Sequence, residues 1–183
     1  PILRYNMGNK IISIIPARGG SKGIPDKNIY PLNGKPLISW TLEQSLSSSL
    51  IDQTFISTND FKIASIGREY NIPVIPRPEE ISGDCSTTDE AIVHALNYLK
   101  SKKNIEPTTV IILQPTSPLR KFGDIDNSIN KFISDNLDSL FSVSHVDDLT
   151  IWENSGKEWT SVNFDYKKRS RRQERAKQYI ENG

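Results

Sequence analysis

Residues 16–28 read PARGGSKGIPDKN and follow a short apolar run, IISII. Gly19, Gly20 and Gly23 stand among Arg18, Lys22 and Lys27, with a single acid, Asp26. Glycine tolerates positive φ and lets a ligand approach the backbone closely. Successive N–H groups in such a turn form a concavity for anions. Arg18 can fork two phosphate oxygens, while Lys22 and Lys27 act as mobile point charges. A nucleoside triphosphate carries roughly four negative charges near neutral pH, and each charge-assisted hydrogen bond to it contributes about 1.5–3 kcal/mol. The competing reading is a solvated loop with scattered lysines. Two phosphate motifs are excluded. A Walker loop ends in Gly-Lys-Ser/Thr, whereas Gly23 is followed by Ile24 and Pro25, and the G-x-G-x-x-G spacing is absent.

The surrounding elements decide whether that loop can be held in place. IISII (11–15) is continuous and β-branched, as a strand covered on both faces requires. KPLISWTLEQSLSSSL reads as a helix with Pro36 in its first turn and Ile38, Leu42 and Leu46 on one face. QTFIST (53–58) is a second strand, followed by a helix in which Ile63, Ile66, Gly67 and Tyr70 share a face. IPVI (72–75) is a third strand. Thr87 and Glu90 then make a capping-box pattern before the stripe Ile92, Ala95, Leu96 and Leu99. TTVIIL (108–113) is a fourth strand, DIDNSINKFISD a helix with Ile125, Ile129 and Ile133 aligned, and SLFSVS (139–144) a fifth strand. Alternation of this kind predicts an α/β fold: three layers, a mostly parallel sheet with helices on both faces, and ligands at the carboxyl ends of the strands. The loops after strands one, three and four are where chemistry is expected. From about residue 145 the pattern weakens, and the sheet is expected to need residues beyond Gly183.

The totals narrow the function classes. The chain has 183 residues, 23 Lys plus Arg against 22 Asp plus Glu, and a net charge of +1. A generic polyanion binder is excluded, so an anion site must come from local clustering. Cys85 is the only cysteine and reads as a small core residue without a role. No apolar run approaches the roughly 20 residues that span a bilayer. PILRYNMGNK lacks the apolar stretch of a signal peptide, Met7 is a candidate natural start, and a cytoplasmic location is expected.

IIPARGGSKGIPDKNI followed by GKPLISWT resembles the signature of the acylneuraminate cytidylyltransferases. The likeness continues through FISTND, RPEEISGDCSTTDEAI, ILQPTSPLR, RSRRQ and YIENG, in order along almost the whole chain. It implies the nucleotide-diphospho-sugar transferase type of α/β fold. It also implies transfer of CMP from CTP to a nine-carbon 2-keto sugar acid, with pyrophosphate released and Mg²⁺ required. The related enzymes that activate the eight-carbon acid KDO carry a QGDEP-like stretch where this chain has Gln114-Pro-Thr-Ser-Pro118, and they rank below.

By resemblance, Arg18 and Lys27 meet the triphosphate, with Ala17, Gly20, Ser21 and Lys22 in the same cradle. Asn28 falls where the family contacts the nucleotide sugar, Arg77 matches a nucleotide-binding arginine, and Ser86 and Thr88 fall at hydroxyl positions near the cytosine. Gln114 matches a glutamine that touches the sugar acid. Arg171 and Arg172 match a pair of which one is assigned to catalysis or to the sugar carboxylate. Together Arg18, Lys27, Arg171 and Arg172 are the catalytic candidates. The family's metal-binding carboxylates are expected beyond residue 183, so neither Asp84 nor Asp89 is assigned a metal, and Asp89 reads as a helix-end residue.

The resemblance further implies a nucleotide-binding domain over 1–144 and an extended arm over 145–183 that crosses to a second subunit, making a homodimer. The basic run KKRSRRQERAKQ (167–178) supplies the alternative of a nucleic-acid-binding module, which is not expected. Trp40 reads as core, His94 as a packed or exposed histidine, His145 as unassigned, and Trp152 and Trp159 as packing residues.

Overall fold

The structure, a computed structural model, describes residues 10–147 and 149–182, and the side chain of Arg172 lies outside that description. Met7 also falls outside the described residues. Strand β1 (Ile11–Pro16) is buried from Ile11 to Ile15 and occupies the interior of a four-stranded sheet with β2 (Gln53–Thr58), β3 (Val74–Pro76) and β4 (Thr109–Ile112). The order is β3-β2-β1-β4 and every pairing is parallel. Ile14 lies opposite Phe55 on one side and Ile112 on the other. The chain leaves β1 towards β2 and β3, then returns to pair β4 on the other side. The order therefore reverses beside β1, which is where ligands enter such sheets.

Side chains alternate between two apolar layers because strand periodicity is two. On one face Ile15 and Ile56 pack with Ile38 and Leu42 of α1 (Leu37–Leu46) and Ile63 of α2 (Phe61–Glu69), and Ile125 of α4 (Asp124–Ser134) joins them. On the other face Ile12, Ile14, Phe55 and Ile75 meet Ile92 and Ala95 of α3 (Thr88–Tyr98) and Leu99 just after it. Small residues set the first layer's spacing. A side chain at Gly67 would place Cβ 2.5 Å from Ile56 Cδ1, so the buried Ile56 side chain would have to shift for α2 to lie this close. Ser45 of α1 shares hydrogen bonds with Ser13 at 2.7 Å and Thr54 at 2.8 Å, so three buried hydroxyls satisfy one another.

The expected capping box forms. Glu90 N–H donates to Thr87 Oγ1 at 3.1 Å, and Thr87 N–H donates to Glu90 Oε2 at 2.8 Å. Thr87→Ala removes half of this device and is expected to lower stability by about 1 kcal/mol in urea titration, with the slope unchanged.

Several expectations are corrected. Leu46 and Ile133 are exposed, because α1 and α4 each end before a further turn could reach the core. Trp40 is half-buried: its Nε1 donates to Leu32 O at 3.0 Å and the Lys35 ammonium lies 3.7 Å above its ring. Cys85 is exposed, in the loop before α3. The fifth strand, β5 (Val143–Val146), does not join the parallel sheet; it pairs antiparallel with the later strand Gln178–Glu181. Its neighbourhood alternates Ser and apolar residues, which suits a sheet wetted on one side rather than one covered on both.

The chain divides into two compact units after Leu140, four residues before the expected domain boundary. Within the second unit β6 (Trp152–Asn154) and β7 (Trp159–Ser161) form a hairpin, and Gln178–Glu181 is β8. Trp152 packs edge-on against Phe164 with centroids 5.2 Å apart. Trp159 is 65% exposed instead of packed. No helix among the described residues is long and apolar enough to cross a membrane.

Candidate active site

At the carboxyl end of the sheet the loops after β1, β3 and β4 enclose a cleft of about 330 Å³. Arg18, Ser21, Lys22, Lys27 and Asn28 come from the first loop, Arg77, Ser86 and Thr88 from the second, and Gln114 from the third. All nine are candidates from the sequence, and the fold brings them to one place within the first unit. Pro16, Gly23, Thr87, Pro115 and Thr116 complete the wall.

The first loop is built rather than loose. Gly20 and Asp26 have φ of 64° and 54°, in the left-handed region. Gly19 N–H donates to Asn59 Oδ1 at 3.0 Å, and Asn59 Nδ2 is held by Glu79 Oε2 at 3.0 Å. Asn28 is buried in a single 3₁₀ turn (Lys27–Ile29), and its Nδ2 donates to Arg18 O at 3.0 Å. The loop closes on a hairpin that the sequence reading passed over. Pro31–Leu32 pairs with Lys35–Pro36 across Asn33 and Gly34, both at positive φ. Asn-Gly between short extended pieces is the strongest local signal for such a turn.

Charge in the cleft is strongly positive and locally balanced by one acid. Asp84 Oδ1 accepts from Arg18 Nη2 at 3.0 Å and Asp84 Oδ2 pairs with Lys22 Nζ at 2.5 Å. Lys22, and then Arg18, hold the Asp84 carboxyl below the usual carboxylate range. Arg77 is buried, and its Nε and Nη2 donate to Ser57 Oγ at 3.1 Å and Ser57 O at 2.7 Å. Burial, with the nearby Arg18 charge, draws its pKa down to about 10, so it remains cationic at neutral pH. Among the described residues Lys27 makes no ion pair. The N-terminus of α3 opens on the cleft, but its capping box already engages Thr87 and Glu90 N–H, so that end contributes chiefly the hydroxyls of Ser86 and Thr88. Four cations, hydroxyls and two amide side chains around this volume suit a polyphosphate joined to a polar, uncharged group.

Other candidates fall elsewhere. Ala17 is buried in the core and continues the β1–β2 ladder, its N–H donating to Ser57 O at 3.0 Å. Gly20 lines a small hollow beside the cleft. Arg171 belongs to the second unit, where its N–H donates to Glu174 Oε2 at 3.2 Å; the Arg172 side chain lies outside the described residues. His94 is half-buried with Nδ1 lacking a hydrogen-bond partner, and burial followed by the Arg77 charge lowers its pKa. It does not line the cleft. His145 sits in the second unit, edge-on to Tyr179 at 5.7 Å. Sequence reading missed Asn59 as the loop's anchor and Asp84 as the partner of its cations. Both lie in motifs already noted, FISTND and RPEEISGDCSTTDEAI, but their partners are remote in sequence.

A parallel sheet that sets four cations from two carboxyl-end loops and a glutamine from a third around one cleft has the build of a nucleotide-binding α/β protein. The model of the cytidylyltransferase family matches residues 12–180, and the chain belongs to that family. It is 38% identical over 126 residues to the N-acylneuraminate cytidylyltransferase of Escherichia coli O18:K1:H7, covering 69% of this chain and 29% of that protein. It is 33% identical over 139 residues to the pseudaminic acid cytidylyltransferase of Campylobacter jejuni serotype O:23/36 (strain 81-176), covering 75% of this chain and 60% of that one. The fold is shared with the structure of CMP:2-keto-3-deoxy-manno-octonic acid synthetase complexed with CTP, at TM-score 0.58 and 20% identity over 81% of this chain and 55% of that one. The chain thus spans less than two thirds of the length of these relatives.

Proposed function

We propose that this chain carries the nucleotide site of a CTP-dependent cytidylyltransferase acting on a nine-carbon 2-keto sugar acid of the sialic type. The observation that carries the reading is the convergence of Arg18, Lys22, Lys27 and Arg77 on one cleft. In this reaction the anomeric hydroxyl oxygen of the sugar acid bonds to the α-phosphorus of CTP. The bond from that phosphorus to the bridging oxygen breaks, pyrophosphate leaves with the electron pair, and the hydroxyl proton is released. The protein's part is orientation and neutralisation of charge on the phosphate oxygens. Arg18, Lys22 and Lys27 are assigned to the triphosphate, Arg77 to the nucleotide, Asn28 to the nucleotide's sugar, Ser86 and Thr88 to the base, and Gln114 to the sugar acid. Arg171 and Arg172 complete the catalytic set from an arm over 145–183 exchanged in a homodimer, in the cytoplasm.

Mg²⁺ would supply charge neutralisation at the leaving phosphates. Among the described residues no group of three or more His, Cys, Asp or Glu side chains could hold a metal. Asp84, the acid at the cleft, is committed to Lys22 and Arg18. The described residues do not fit the ion, its ligands are assigned past residue 183, and no step above runs through it.

The test is a pyrophosphate-release assay with Mg²⁺, crossing CTP, UTP, ATP and GTP with N-acetylneuraminate, KDN, legionaminate, pseudaminate and KDO. Release is expected with CTP and a nine-carbon acid. Equal release with another nucleotide, or with KDO alone, rejects the assignment.

A further inference from the structure

The wall that carries Gln114 is a loop with little apolar anchorage. Leu119 and Phe122 are 89% and 92% exposed, so past Pro115 the large side chains do not pin it to the core. Polar contacts with α1 hold it instead, and they run in both directions. Arg120 Nη2 donates to Gln114 O at 3.0 Å, and Arg120 Nη1 donates to Ser117 O at 2.8 Å and Gln44 Oε1 at 3.2 Å. Gln44 Nε2 donates back to Pro118 O at 2.7 Å and Arg120 O at 3.3 Å. Buried Thr41 adds longer bonds, accepting from Arg120 Nη1 at 3.4 Å and donating to Gln114 O at 3.5 Å.

The guanidinium faces carbonyl, amide and hydroxyl oxygens, with no carboxylate paired to it among the described residues. Burial draws its pKa below the usual arginine value. A cation taken partly out of water without a counter-charge is costly, and it persists where its hydrogen bonds do something an apolar residue could not. Here the two terminal nitrogens of one planar group hold the carbonyls of Gln114 and Ser117 and the side chains of Gln44 and Thr41 at once. Arg120 does not line the cleft, whereas Gln114, Pro115 and Thr116 do.

We propose that Arg120, locked to Gln44 of α1, is a positioning residue that sets the acceptor wall of the cleft through Gln114. This deepens the functional reading above and rests on its assignment of Gln114 to the sugar acid. The clasp acts on the third loop, so its loss falls on the sugar acid while the first loop keeps its grip on the nucleotide.

The experiment uses the full-length protein with Arg120→Met, Arg120→Lys, Gln44→Met and, as comparator, Gln114→Ala. Arg120→Met is expected to raise KM for the sugar acid about tenfold, the effect of about 1.4 kcal/mol, with KM for CTP within about twofold. Arg120→Lys restores part of the loss, since an ammonium reaches fewer of the acceptors. Hydrogen exchange over 114–120 is expected to quicken in Arg120→Met while β1 and α3 keep their protection. Should Arg120→Met fail to fold, Gln44→Met carries the same two readouts. Unchanged exchange over 114–120 overturns the clasp whatever the activity. Faster exchange with unchanged sugar-acid KM, or an equal rise in both KM values, overturns its positioning role. A Gln114→Ala protein with unaltered sugar-acid KM strikes instead at the underlying assignment.

Discussion

Arg18→Ala is expected to lower kcat/KM with CTP by about 10²–10³-fold, the usual cost of removing one charged donor aimed at reacting oxygens. The Arg18–Gly19 peptide is held at both of its polar atoms, its N–H by Asn59 and its carbonyl by Asn28. The Arg18 side chain lines the cleft, where Asp84 Oδ1 pairs with Nη2 at 3.0 Å. Arg18→Lys separates charge from geometry: it keeps the positive charge and loses the fork, so it recovers part of the binding heat but little of the rate. Calorimetric titration with CTP alongside steady-state kinetics reads both. Full turnover in Arg18→Ala would remove the loop from the mechanism.

Phe55→Ala carries the largest expected loss of stability, about 3–5 kcal/mol by urea denaturation. Phe55 is 1% exposed, paired with Ile14 and facing Ile75, Ile92 and Leu99. Truncation leaves a cavity between two rigid layers, and the sheet register prevents neighbours from closing it. A loss below about 1 kcal/mol would mean that α3 can collapse onto the sheet. That outcome would contradict the close packing that places Ser86 and Thr88.

The strand IISII was readable because nothing but a two-faced burial suits five such residues in a row. The capping box at Thr87 and Glu90 was readable because both partners lie within one turn. The cationic loop announced its chemistry by composition, yet not its architecture. Asn33 and Gly34 marked a turn, but the paired segments are two residues each and carry no alternation to frame it. Trp40 read as core because it lies in an amphipathic helix, and it is drawn instead to Leu32 and Lys35 of that unforeseen hairpin. Strand β5 was placed in the wrong sheet because local pattern reports extension and not partner: its mate, Gln178–Glu181, lies beyond a second hairpin. Arg120 stood within a recognised motif, but its meaning depends on Gln44, 76 residues earlier. Contacts of that range leave no mark in spacing.

Arg77 and Arg18 repel across the cleft, and Arg77 does so from a site largely withdrawn from water. That repulsion is a cost to the ligand-free protein. A polyanion laid between the guanidiniums returns the lost stability, so the melting temperature becomes a gauge of how much phosphate ligand is present. Toughness and appetite for phosphate are thus coupled through the same pair of side chains.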